Sequence, residues 1–155
     1  MDSKKTVRIG NNFHLLNKEL LNIGATYSSL LIMNEDSKII FSKSSNIDWS
    51  EEFTSSGLSE HCYLLKEANK QMEYNNAPFT ILWDLYNPLT DKELELADIR
   101  NQKDIVHGVG FCFRDNQGQK ILLNIAGKYS DINFGAIVLK HRPTVYKSLR
   151  QAMIG

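Results

Sequence analysis

Apolar residues recur near the start of the chain at helical spacing: Phe13, Leu16, Leu20 and Ile23, with Leu15 and Leu21 widening the face. The spacing predicts a helix opening at Asn11 and stopped by Gly24, with residues 1–10 a polar, flexible lead-in. The period then changes to two. TYSSLLIM (26–33) reads as a strand, NEDSK (34–38) as a turn and IIFSK (39–43) as the returning arm of a hairpin. Asp48 is a suitable N-cap for a short helix through Phe53, with Glu51 and Glu52 in its first turn, and Gly57 ends it. LSEHCYLLKEANKQM (58–72) resumes helical spacing through Leu58, Cys62 and Leu65. FTILW (79–83) is a short strand rich in β-branched and aromatic residues.

Thr90-Asp91-Lys92-Glu93 is a capping box, and the helix it opens should reach about Asp104 as a charged, solvated face carrying Leu94, Leu96, Ala97 and Ile99. HGVGFCFRD (107–115) and QKILLNIAG (119–127) flank Asn116-Gln117-Gly118 as a second hairpin. From Asp131 onward Ile132, Phe134, Ile137, Val138, Val145, Leu149 and Met153 predict one long amphipathic helix, interrupted near Pro143. Lys140, His141, Arg142, Lys147 and Arg150 form its wet side. The order implies an α+β protein: an α-β-α sandwich around a roughly five-stranded, mostly antiparallel sheet of the PAS/GAF-like sensor kind, with residues 11–155 as one ligand-sensing domain.

Composition narrows the functional classes. Eighteen basic residues balance eighteen acidic ones, which argues against a chain whose main task is gripping phosphate backbones. No apolar run approaches the ~20 residues a membrane span needs, and the N-terminus lacks a signal-peptide core, so a cytoplasmic location is expected. Cys62 and Cys112 are the only cysteines, and neither belongs to a metal-ligating pair. His61 beside Cys62 is a neighbour rather than a catalytic partner. No metal, cofactor or enzymatic activity is expected. Trp49 and Trp83, each next to an acid, are either core anchors or the polar handles of a pocket. Cys112, between Phe111 and Phe113, lines the core or a pocket.

The segment with Trp49 and Phe53, the strand ending at Trp83-Asp84, the capped helix ELELADIRNQKDI running into HGVGFCF, and QKILLNIAG together resemble the autoinducer-binding domain of LuxR-type quorum-sensing regulators. The resemblance spans roughly residues 12–153. It implies an acyl-homoserine lactone-type pocket between the sheet and one helical layer, dimerisation, and a DNA-binding half beyond the domain. On that resemblance Trp49 matches the Trp whose indole N–H holds the lactone carbonyl, and Trp83 matches the aromatic wall. Gly108 matches a structural glycine at the entry to its strand, where a side chain would block the turn into the sheet.

The departures from the family pattern matter as much. Ser45 and Phe53 stand where two tyrosines are usual, Cys62 and Tyr63 replace an Asp-Pro pair, and Asn124 replaces a Ser or Thr near the acyl carbonyl. The missing Asp removes an acceptor for the ligand amide worth about 1.5–3 kcal/mol, and a cysteine is a weak substitute. The expected ligand is therefore an apolar or amphiphilic small-molecule signal other than a standard acyl-homoserine lactone. The expected ligand-binding set is Ser45, Trp49, Phe53, Cys62, Tyr63, Trp83, Cys112 and Asn124. The partners expected are that signal and a second subunit, as a homodimer or as a heterodimer with a related regulator, with no direct contact to nucleic acid or membrane by this chain. A sensor fragment of a longer regulator and a stand-alone partner-binding protein both remain open, since Gly155 falls where a linker would begin.

Overall fold

The computed structural model describes residues 1–154. Helix α1 runs Ser3–Leu21, so it opens eight residues before Asn11 and takes in most of the segment expected to be flexible. Two local features explain the earlier start. Asp2 accepts the Lys5 backbone N–H at 2.8 Å as an N-cap, and Ile9 extends the stripe Phe13, Leu16, Leu20 one turn back into the core.

Strands β1 (Tyr27–Met33) and β2 (Ile39–Ser44) form the first hairpin. Helix α2 (Ile47–Ser55) is capped by Asn46 rather than Asp48: the Asn46 side chain accepts the Trp49 N–H at 3.0 Å, and Asp48 sits in the first turn instead. The stretch read as one helix over 58–72 is a 3-10 turn, Leu58–His61, followed by α3 (Tyr63–Tyr74), with Cys62 as the cap between them. Strand β3 (Phe79–Leu82) stops one residue short of Trp83, which opens a 3-10 turn through Leu85. Helix α4 (Asp91–Gln102) follows its Thr90 cap, and β4 (Val106–Arg114) and β5 (Lys120–Gly127) make the second hairpin. Asp115 closes that turn by accepting the Gln117 and Gln119 N–H groups, both at 2.9 Å. The C-terminal segment is two helices, α5 (Phe134–Lys140) and α6 (Arg142–Ile154). The break falls at His141, and Pro143 lies in the first turn of α6, where its missing N–H leaves no bond unmade.

All strand pairs are antiparallel, in the order β2-β1-β5-β4-β3. Side chains alternate across the sheet and feed two cores, giving an α-β-α sandwich. Leu30, Ile32, Val109, Phe111, Ile121, Leu123 and Ile125 pack with α1, α5 and α6. Tyr27, Leu31, Met33, Ile81, Cys112, Leu122 and Ala126 face α2, α3 and α4, with Trp49 and Trp83 among them. The first core is largely aliphatic and aromatic, with buried Ser28 bonded to Asn17 of α1. The second surrounds a cavity lined by several polar groups, and that cavity locates the site. Among the described residues no helix is long and apolar enough to cross a membrane.

Candidate functional site

A small, partly open cavity of about 40 Å³ lies in the second core between the sheet and α2–α4. Its floor is Tyr27, Ser29 and Leu31 of β1, Ser42 of β2, and Leu122 and Asn124 of β5. The antiparallel register sets Ser29 opposite Asn124 and Leu31 opposite both Ser42 and Leu122. The Asn124 amide donates to the Ser29 hydroxyl at 3.4 Å. Above the floor stand Trp49, Ser50 and Phe53 of α2, Cys62, Leu64 and Leu65 at the start of α3, Trp83, and Arg100 of α4. This volume holds about three waters and is well below the ~300–1,000 Å³ of a formed ligand pocket. As it stands it accommodates a head group.

Of the residues expected to bind a ligand, Trp49, Phe53, Cys62, Trp83 and Asn124 meet on this wall. Trp49 is buried, with its ring centroid 5.6 Å from that of Phe53. Ser45, Tyr63 and Cys112 are elsewhere. The Ser45 hydroxyl accepts the Ser28 N–H at 3.0 Å and ties the end of β2 to β1, while Ser42 takes the strand position that faces the cavity. Tyr63 is half-buried at the edge of the helical layer, and burial raises its phenol above the ordinary range. Cys112 is fully buried off the cavity wall, and burial pushes its thiol up to about 12.

Gly108 has a different reason from the one its position in the sequence suggests. Its backbone turn does not demand glycine. A Cβ there would instead lie 2.5 Å from Cε3 and 2.7 Å from Cε2 of Trp83, so the indole rests directly on the glycine backbone. A bulge between Val106 and Val109 sets up this seat. His107 within the bulge takes a left-handed conformation, φ 53°. Its Nδ1 lies 2.9 Å from the Asp84 carboxylate and its Nε2 2.8 Å from the Tyr129 carbonyl. The bulge thus clamps the turn that carries Trp83 against the end of the sheet.

Among the wall residues outside the expected set, Tyr27 and Arg100 bring titratable or charged groups. Tyr27 is buried, and burial raises its phenol despite hydrogen bonds with Ser29 and Ser44, so it stays a neutral hydroxyl near the floor. Arg100 is the larger departure. Only 7% exposed, it turns inward from a helix read as a solvated face. Its Nη2 donates to Cys62 Sγ at 2.9 Å, and its guanidinium carbon lies 5.4 Å from the Trp83 ring centroid and 6.0 Å from that of Phe53. A signal for it existed in the spacing: Glu93, Leu96 and Arg100 fall at i, i+3 and i+7 and all three are buried, whereas Leu94 is exposed. A polar residue on an inward stripe is invisible to a hydrophobic pattern.

By sequence, neither a protein-family model nor a curated protein matches the chain. By structure it does resemble solved proteins. It is similar to the N-acylhomoserine lactone-dependent LuxR-family transcription factor CepR2 from Burkholderia cenocepacia, with TM-score 0.59 and 12% identity over 97% of this chain and 93% of that one. It is also similar to SdiA in complex with octanoyl-rac-glycerol, with TM-score 0.70 and 10% identity over 99% of this chain. A structure of Escherichia coli SdiA matches with TM-score 0.60 and 11% identity over 99% of this chain. The chain spans 60% and 62% of the two SdiA chains. At these identities the likeness is one of fold: this chain has the α-β-α architecture seen in those LuxR-type structures.

Proposed function

We propose that the chain is a small-molecule-sensing regulatory domain of the LuxR type rather than an enzyme, and that its signal enters the cavity under Trp49 and Trp83. The observation carrying this reading is the convergence of both tryptophans, Phe53, Cys62, Asn124 and Arg100 on one cavity in a fold shared with CepR2 and SdiA. The complex of SdiA with octanoyl-rac-glycerol supports a ligand other than a lactone, because it pairs this fold with an acyl amphiphile that has no lactone ring. Entry requires the wall to yield. Helix α2 is the element suited to do so, since Trp49 is its only fully buried side chain. Opening would then be coupled to whatever DNA-binding half or partner subunit the domain controls. A second copy or a related regulator is the expected partner.

Tryptophan fluorescence and thermal melting with N-octanoyl-homoserine lactone, 1-octanoyl-glycerol and decanoate test the reading. A ligand present at a hundred times its Kd should add about 2.7 kcal/mol of stability, a rise of roughly 5–10 °C for a domain of this size. A chain stabilised by none of these amphiphiles, with unchanged tryptophan emission, would sink the sensor reading.

A further inference from the structure

We propose that the cavity is a carboxylate-binding site: the head group of an acyl or aryl monocarboxylate seats on Arg100 while its chain runs beneath Trp49, Phe53 and Trp83. This deepens the sensor reading above and rests on it.

An arginine carries a fixed charge and five N–H donors in a planar fork. Buried away from water, such a group is normally met by a carboxylate. Here its one protein acceptor is the sulfur of Cys62, and Nη1 has no hydrogen-bond partner among the described residues. None of the ion pairs among the described residues includes Arg100. The cavity wall contains no Asp or Glu, so its only formal charge is positive. Glu93 is buried two turns earlier on the same helix with Oε2 unpartnered, yet it is not within ion-pair distance of Arg100 and does not line the cavity. The guanidinium is held in place by the Trp83 and Phe53 rings and by Cys62 rather than by a counterion.

The free space matches this demand. A cavity of about 40 Å³ suits a planar carboxylate better than a tetrahedral phosphate. Ser29, Ser42, Ser50 and Asn124 add neutral hydrogen-bonding groups around it, and the aromatic side chains offer the apolar surface a short chain needs. A carboxylate arriving at Arg100 gains two parallel charge-assisted hydrogen bonds and satisfies a buried cation. A neutral ester or lactone gains neither in full.

The test is isothermal titration of the whole chain with decanoate, methyl decanoate, N-octanoyl-homoserine lactone and decyl phosphate. Decanoate should bind about 10–100-fold more tightly than its methyl ester, the range expected for a hydrogen bond to a charged group. Arg100→Gln should reduce that preference to within about threefold. Cys62→Asp tests the same logic without removing the cation: the new carboxylate becomes an internal counterion and a better helix cap, so this variant should keep its melting temperature and lose decanoate preference. Equal affinity for acid and ester in the unaltered chain overturns the proposal, as does an acid preference that survives both substitutions. Decyl phosphate binding as well as decanoate overturns the choice of head group. Binding of ester and lactone but not acid leaves the sensor reading standing without the anion site, whereas no binding by any of the four brings down both.

Discussion

Gly108→Ala is a local perturbation of the site, because the three atoms nearest the added methyl group all belong to the Trp83 ring. Its position would be 2.5 Å from Trp83 Cε3, about 0.9 Å short of ordinary van der Waals contact. The indole is a rigid plane and cannot yield at its tip as a lysine or methionine would. It must shift bodily toward the cavity side, where Arg100 stacks and where only about 40 Å³ is free. Overpacking of this kind costs about 1–3 kcal/mol, and the loss of glycine's freedom in the unfolded chain returns at most about 1 kcal/mol. A net destabilisation with a melting point lower by several degrees is therefore expected. Urea denaturation followed by tryptophan emission reads the stability, and ligand titration reads the cavity, which the shifted ring should fill. Pairing the change with Trp83→Leu isolates the contact: the double variant should be less destabilised than the two single changes together. Additive effects, or a Gly108→Ala chain as stable as the parent with unchanged ligand affinity, would refute the account of Gly108 as the seat of Trp83.

The remaining predictions concern the clamp, the thiols and the opposite core. Burial alone would depress His107, but the Asp84 carboxylate at 2.9 Å and the Tyr129 carbonyl raise it, and the net position is above the ordinary 6.5. The stabilisation is thus fully present below about pH 6.5 and is lost as pH rises through the folded-state value. Melting-temperature differences between the parent and Asp84→Asn should accordingly be larger near pH 5.5 than near pH 8.5, and an opposite trend would contradict the pairing. With its thiol pushed up to about 12 and no exposure, Cys112 should resist iodoacetamide at about pH 8 until the chain unfolds; native-state labelling by mass spectrometry at the unfolded rate would count against its burial. Leu149, fully buried between α6 and the sheet, should cost about 2–5 kcal/mol on truncation to Ala. Since it lies across the sheet from the cavity, ligand affinity measured well below the melting point should hold, and a matching loss of affinity would mean that the two cores are coupled.

The architecture was legible because most of its determinants are periodic and local. The strand alternation of TYSSLLIM, FTILW, HGVGFCF and QKILLNIAG and the Thr90 cap are side-chain patterns a sequence displays directly. Errors arose where a short polar side chain decides a boundary. Asn46 outcompeted Asp48 for the cap, and Asp2 with Ile9 drew α1 back to Ser3. The site was half legible. Trp49, Phe53, Cys62, Trp83 and Asn124, positions the resemblance pointed to, lie on one cavity wall. Ser45 and Ser42 exchanged roles because strand alternation, not residue type, decides which serine of β2 looks inward. Arg100 was missed for a physical reason: charge on a helix argues for solvent unless a partner is known, and this residue's partner is a sulfur 38 positions away in sequence.

Positions 62 and 100 are best understood as one unit. A carboxylate at 62, the family expectation, would reach the guanidinium directly, since Cys62 Sγ already lies 2.9 Å from Arg100 Nη2. That arrangement would neutralise the cation internally and leave the wall with a paired, uncharged character. With cysteine at 62 the acceptor is a sulfur, a weak hydrogen-bond partner, so the positive charge remains available to the cavity. The same exchange removes the group suited to accept an amide N–H from a homoserine lactone and frees one suited to receive an anion. On the proposal above, cysteine rather than a carboxylate at 62 would both weaken a lactone site and open an anion site beside Arg100. Introducing a carboxylate by Cys62→Asp should move both properties in opposite directions at once, a coupling that two independent changes in the pocket would not produce.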